Sequence, residues 1–272
     1  MQWDVLAHGY RLAEAPTIDV EGTLVFSDVL GGGVYRLDPP GSRGVTTVVP
    51  KRRGVGGVAI HADGGIVCSG RDVIHVRDGD EPRTVLHVDG VAGWNDLCTD
   101  ATGCVYAGAL RFAVFDADAE VVPGEVRRVE LDGGDRVLFG DVVHANGIAC
   151  SLDGGTVYAS DTRRRCVIAF DVERAALREF DLSALGHPDG MALDEHGAIW
   201  VALVGGGIAR LTPDGDVDRR IEPPSGFTTS LCFAGRDLYV TTGSHSGQPE
   251  LGGCVLRTTV DVAGAAVTPA RV

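Results

Sequence analysis

The sequence predicts an all-β chain wound as a six-bladed β-propeller, with four antiparallel strands to each blade. Three observations carry that expectation. Short apolar runs are joined in pairs by tight turns, each holding a glycine: Gly22, Gly64, Gly103, Gly154, Gly197 and Gly235. Glycine accepts the positive φ that such hairpin turns need. The glycines recur at intervals of 42, 39, 51, 43 and 38 residues, close to the period of about 40–45 residues of a four-stranded blade. Helical periodicity is nearly absent; residues 172–185 are the one stretch that suggests a helical turn or two.

The elements follow in order. Stepping back eight residues from each turn glycine gives Glu14, Gly56, Asn95, Asn146, Asp189 and Phe227, and each is expected to stand where its blade's first strand begins. Second strands are predicted at 24–28, 65–69, 105–108, 157–161, 199–202 and 238–241, and third strands at 33–37, 73–76, 124–129, 166–170, 207–211 and 254–258. Fourth strands are weaker, at 46–49, 84–88, 137–139, 177–180 and 217–221. The sixth blade's fourth strand is expected from 266–272 or from 3–6. Either closes the ring and removes an open sheet edge. All 272 residues are thereby assigned to one propeller domain.

Composition narrows the function classes. A net charge of −14 makes nucleic acid an unsuitable partner. The start of the chain shows neither a basic stretch nor a long apolar one, and no run reaches membrane-spanning length. The seven cysteines are an odd number scattered through strand patterns, as expected of small core residues in a reducing compartment. The expectation is a cytoplasmic protein without membrane or nucleic-acid partners, a monomer or small homo-oligomer.

First strands of a propeller line its central channel. Equivalent positions on different blades therefore face one spot, and Glu14, Asn95, Asn146 and Asp189 are expected to converge at one mouth. Two carboxylates and two amides without His or Cys suit a hard cation such as Ca²⁺, Mg²⁺ or Mn²⁺ better than a structural Zn²⁺. Such an ion polarises a carbonyl and acidifies a bound water. The alternative is that these side chains only cap strand ends. His144 and His187, two residues before Asn146 and Asp189, are expected to face substrate or merely to be hydrogen-bonded in loops. Strand direction brings the second-to-third strand connections back to the same mouth. Two of these are long, 109–123 and 242–253, and are expected to shape a pocket.

The chain resembles the SMP-30/gluconolactonase/luciferin-regenerating-enzyme-like family of six-bladed propellers. The resemblance runs through Glu14-Ala15-Pro16, Asn95-Asp96, Asn146-Gly147, Ser151-Leu152-Asp153-Gly154, Ser160-Asp161, Pro188-Asp189-Gly190-Met191 and Trp200-Val201-Ala202. It implies that Glu14, Asn146 and Asp189 bind one divalent metal, Ca²⁺ first, with Mg²⁺, Mn²⁺ or Zn²⁺ as alternatives. It also implies that Asp189 acts as base or positions water, that Asn95 touches substrate or solvent, and that the reaction is lactone hydrolysis. Asp96 is expected behind Asn95. Sugar-lactone members often carry an arginine two residues before the Asn matching Asn95. Here Gly93 stands there, followed by Trp94, which is expected to form an apolar wall. A small-molecule lactone or ester is the expected substrate. Other ester or phosphoester hydrolysis, a biosynthetic reaction, and a non-catalytic binding propeller are the alternatives.

Overall fold

In the computed structural model, which describes residues 1–37, 44–244 and 252–272, all six turn glycines have positive φ: 79° at Gly22, 91° at Gly64, 94° at Gly103, 71° at Gly154, 79° at Gly197 and 58° at Gly235. In five of the turns the glycine N–H donates to the carbonyl three residues earlier, on Asp19, His61, Asp100, Ser151 and Asp194, at 2.9 to 3.0 Å. Where that residue is an aspartate, its side chain holds the turn as well. Asp19 Oδ1 accepts the N–H of Glu21 and Thr23, and Asp194 Oδ1 accepts those of His196 and Ala198. Short polar side chains favour such turns because they satisfy backbone donors locally.

These hairpins build six four-stranded antiparallel sheets. The chain opens with β1 (Asp4–Tyr10). The first blade is β2 (Ala13–Ile18), β3 (Leu24–Asp28), β4 (Gly33–Leu37) and β5 (Val45–Pro50). The second is β6 (Val58–Ile60), β7 (Ile66–Cys68), β8 (Val73–Val76) and β9 (Arg83–Leu86). The third is β10 (Gly93–Thr99), β11 (Val105–Leu110), β12 (Gly124–Val129) and β13 (Asp135–Val142). The fourth is β14 (Ala145–Cys150), β15 (Thr156–Asp161), β16 (Cys166–Asp171) and β17 (Ala176–Asp181). The fifth is β18 (His187–Leu193), β19 (Ile199–Val204), β20 (Gly207–Leu211) and β21 (Val217–Ile221). The sixth joins β22 (Thr228–Ala234), β23 (Asp237–Thr242) and β24 (Gly253–Thr259) to β1.

Asp4 pairs with Arg257 and Tyr10 with Gly253, so β1 is the strand that closes the ring. The other expected candidate, 266–272, does not join the sixth sheet. It runs across the turn side of the channel instead. Ala265 N–H donates to Leu193 O at 2.9 Å, Thr99 Oγ1 to Thr268 O, Ala270 N–H to Ile60 O at 2.7 Å and Arg271 N–H to Gly103 O at 2.9 Å. The suggested helical turn within 172–185 is also corrected: the segment carries β17, whose residues pair one for one with β16. Among the described residues there is no helix.

The core is divided among the blade interfaces. Six apolar clusters sit one per interface: for example Val25, Val34 and Ile66 between the first and second blades, and Trp200, Ile208 and Leu238 between the fifth and sixth. Each such side chain contributes about 1.5–3 kcal/mol on full burial, so the ring is held mainly by its seams.

Candidate active site at the channel mouth

The inner strands do not start as plain ladders. Their pairing with the second strand slips between Glu14 and Thr17, Trp94 and Leu97, Ala145 and Ile148, Pro188 and Met191, and Thr228 and Ser230. The four polar register residues each lie at or inside one of these bulges. A bulge leaves residues out of the ladder and re-aims their side chains, here toward the channel. Ala15, directly after Glu14, has φ 52°, a conformation rare for a residue with a Cβ.

A belt of hydrogen bonds fixes the register from blade to blade. The carbonyl just before a register residue accepts a side chain from a neighbouring blade. Thr229 Oγ1 donates to Ala13 O at 2.6 Å. Ser27 Oγ donates to Val55 O at 2.6 Å. Asn95 Nδ2 donates to Ala145 O at 3.0 Å, and Thr162 Oγ1 donates to Pro188 O at 2.8 Å. Thr162 also accepts Asn146 Nδ2 at 3.1 Å. The fit is close: a Cβ on Gly56 would stand 2.1 Å from Asn95 Oδ1, and one on Gly147 would stand 2.4 Å from Asp189 O.

The sixth register position differs from expectation. Phe227 precedes β22, and its ring lies where a Cβ on Gly243 would be, 2.0 Å from Cδ1. Thr229, at the bulge, takes the equivalent place. The β22–β23 turn is short, since Ala234 pairs directly with Asp237, whereas Ile18 pairs with Leu24 across five residues in the first blade. A constant offset from the turn glycine therefore overshoots. Thr229, Ser27 and Thr162 carry no signal in the sequence, because a lone hydroxyl in or beside a strand has no spacing pattern.

Three carboxylates meet at the mouth. Glu14 and Asp189 are each 7% exposed and Asn146 9%. Burial raises the pKa of Glu14 well above the usual carboxylate range, and the charges of Asp189 and Asp96 add to that. Asp189 is raised for the same reasons, burial first and then Asp96; the Asn146 side chain and the Gly190 N–H against it oppose the shift. Burial pushes Asp96 up to about 7, although the N–H groups of Leu97 and Ile148 favour its charge. Asp189 Oδ1 is buried with no hydrogen-bond partner among the described residues. Among those residues, no three His, Cys, Asp or Glu side chains make a metal cage by themselves; the oxygen set here includes an amide.

The remaining candidates divide. His144 is half-buried, and its pKa falls to about 4 through burial first, with Asp161 raising it and Arg163 lowering it. The ring is therefore neutral at pH 7. His187 Nδ1 lies 3.3 Å from Thr162 O. Thr162 N–H donates to His144 O at 3.1 Å, so both histidines flank Thr162 in the belt. Trp94 does not stand at an open wall: it is 1% exposed and packs with Val67, Leu86 and Val105 between the second and third blades. The 109–123 connection places Phe112 beneath Arg163, whose guanidinium carbon is 4.9 Å from the ring centroid. Of 242–253, residues 245–251 lie outside the described residues. Beneath the mouth, the channel holds a cavity of about 520 Å³, lined by Pro16, Asp96, Cys98, Cys150 and Met191 and floored by 264–268.

The comparisons agree with this architecture. A 6-deoxy-6-sulfogluconolactonase from Pseudomonas putida is 32% identical over 282 residues, covering 94% of this chain and 93% of its own. The pentonolactonase XacC of Haloferax volcanii is 31% identical over 257 residues, covering 89% and 85%. The crystal structure of a calcium-binding protein, regucalcin, from Agrobacterium tumefaciens superposes with a TM-score of 0.83 at 22% identity, covering 98% and 96%. The family model SMP-30/Gluconolactonase/LRE-like region matches residues 12–244, and the chain belongs to that family.

Proposed function

We propose that the chain is a lactone hydrolase that works with one divalent cation, Ca²⁺ in the first place, held by Glu14, Asn146 and Asp189. The observation that carries the cation is the buried Asp189 Oδ1 without a partner, in a site where Glu14 and Asp96 already repel it. A buried carboxylate without a countercharge is costly. A hard cation fits that oxygen set and removes the cost. The two lactonases among the relatives support the reaction class, and the calcium-binding regucalcin with this fold supports the ion.

When bound, the ion supplies positive charge that polarises the lactone carbonyl and acidifies water. The chain's own groups do the rest. Asp189 accepts a proton from the attacking water, whose oxygen bonds to the carbonyl carbon. The ring C–O bond then breaks, and its oxygen takes up the proton to give the open hydroxy acid. Asn95, tied to Ala145 O through Nδ2, keeps its Oδ1 for substrate or water. Asp96, anchored by Leu97 N–H, stands behind it. A panel of lactones assayed with and without a chelator tests this reading. Turnover that is lost with chelator and restored by Ca²⁺ supports it. Hydrolysis indifferent to chelation removes the cation from the reaction.

A further inference from the structure

Two runs of three basic residues, Lys51-Arg52-Arg53 and Arg163-Arg164-Arg165, lie in connections at the mouth, in a chain whose net charge is −14. They differ in how they are used. Arg52 is spent on the backbone, donating to Ser69 O and Asp72 O. Arg164 is held by Asp141 at 2.8 Å and faces Asp161. Arg111, on the neighbouring long loop, grips Glu125 with two bonds of 2.8 Å. Arg163 is exposed, and no carboxylate among the described residues lies within 4.0 Å of it. Its guanidinium is laid on the Phe112 ring at 4.9 Å, which fixes a planar donor without consuming its hydrogen bonds. The residue before it, Thr162, bonds directly to Asn146.

We infer that Arg163, oriented by Phe112, receives an anionic substituent on the substrate and makes the enzyme selective for lactones that carry one. This rests on the lactone hydrolase reading for what the site binds. Arg163 lies on the mouth connection of the fourth blade, one residue beyond the Thr162 that bonds Asn146. A guanidinium fork matches a carboxylate, sulfonate or phosphate through paired N–H donors. Arg53, Lys51 and Arg11, also on mouth connections and also without ion pairs among the described residues, add an attractive field for such a substrate.

The test uses non-hydrolysable six-membered lactams in a matched pair, one with a terminal carboxylate and one with a carboxamide, titrated calorimetrically into the Ca²⁺-loaded protein. The wild type is expected to prefer the carboxylate by about tenfold or more, as for one charge-assisted hydrogen-bonded pair. Arg163→Gln is expected to collapse the preference, and Arg163→Lys to keep only part of it. Salt is expected to erode it. Equal affinity of the pair in the wild type, or a preference that survives Arg163→Gln, overturns the inference. The corresponding lactones, assayed for hydrolysis in parallel, separate the two readings. If neither is opened while the lactam preference holds, the lactonase reading fails and anion recognition by Arg163 stands.

Discussion

Thr229 donates its hydroxyl to the carbonyl of Ala13 at 2.6 Å, across the seam between the sixth and first blades. Ala13 is the residue before Glu14, so this bond ties the approach to Glu14 to the sixth blade. Thr229→Val keeps the shape and leaves that carbonyl unpaired. The expected cost is about 1–3 kcal/mol of stability, together with weaker Ca²⁺ binding. Denaturant unfolding and cation titration of the variant check both. Stability lost with unchanged cation affinity would separate the seam from the site.

Asp189→Asn keeps size and one ligand oxygen but loses the charge and the base. Turnover is expected to fall by about 10²–10⁴-fold, the usual worth of a positioned proton acceptor. The fold is expected to be retained, because an amide is cheaper to bury than an unpartnered carboxylate. Steady-state kinetics beside a thermal melt decide this, and near-normal turnover would remove Asp189 as the base.

Asn95→Ala is expected to leave cation binding largely intact while lowering activity. Gly56→Ala provides an independent route to the same state, since its methyl would stand 2.1 Å from Asn95 Oδ1 and must displace it. Both variants are expected to show reduced kcat with cation affinity close to wild type. A Gly56→Ala enzyme with full activity would mean that the Asn95 oxygen is not used.

Chelation is expected to destabilise the protein, because it strips the countercharge from the buried carboxylates. Re-addition of Ca²⁺ at about 100 times its dissociation constant should restore about 2.7 kcal/mol. A melting temperature insensitive to chelator and to added Ca²⁺ would count against the cation site itself.

Acid should act through Asp194, far from the mouth. Its side chain is fully buried; burial raises its pKa, but bonds from Trp200 Nε1 at 2.9 Å, Arg210 Nε at 2.8 Å and two backbone N–H groups outweigh that and lower it below 3.8. A carboxylate with a lowered folded pKa contributes its full stability above the unfolded value and loses it as pH falls through the folded one. The Asp194 contribution is therefore present at neutral pH and disappears below 3.8. Asp194→Ala should cost about 3–5 kcal/mol at pH 7 by orphaning buried donors and should flatten the acid limb of the stability curve. Urea melts between pH 3 and 7 measure both.

What the sequence made legible was whatever the backbone demands of a residue type. Turn glycines must exist wherever φ is positive, so Gly22 through Gly235 revealed the blades and their number, and the offset from them located Glu14, Asn95, Asn146 and Asp189. The offset failed at Phe227 because one hairpin was shorter, which only pairing reveals. Trp94 reads as a wall beside Asn95, yet strand alternation turns it into the seam with Val67 and Leu86. Weakly apolar β17 hid behind a faint helical pattern, since its outer residues are exposed and only Phe180 is buried. The hydroxyls of Ser27, Thr162 and Thr229 act through neighbours on other blades, and no local pattern announces that.

The pairing of Asp4 with Arg257 has a consequence for time rather than for structure. The latch joins residues 253 positions apart in the sequence, and long-range closure of this kind is slow. β2 follows the latch after two residues, so Glu14 is released early when the latch opens. A cation held by Glu14, Asn146 and Asp189 would tie the first blade to the fourth and fifth without passing through that latch. Its main signature is a lower rate of opening: a loaded protein that persists for longer under denaturant than its equilibrium stability alone would give.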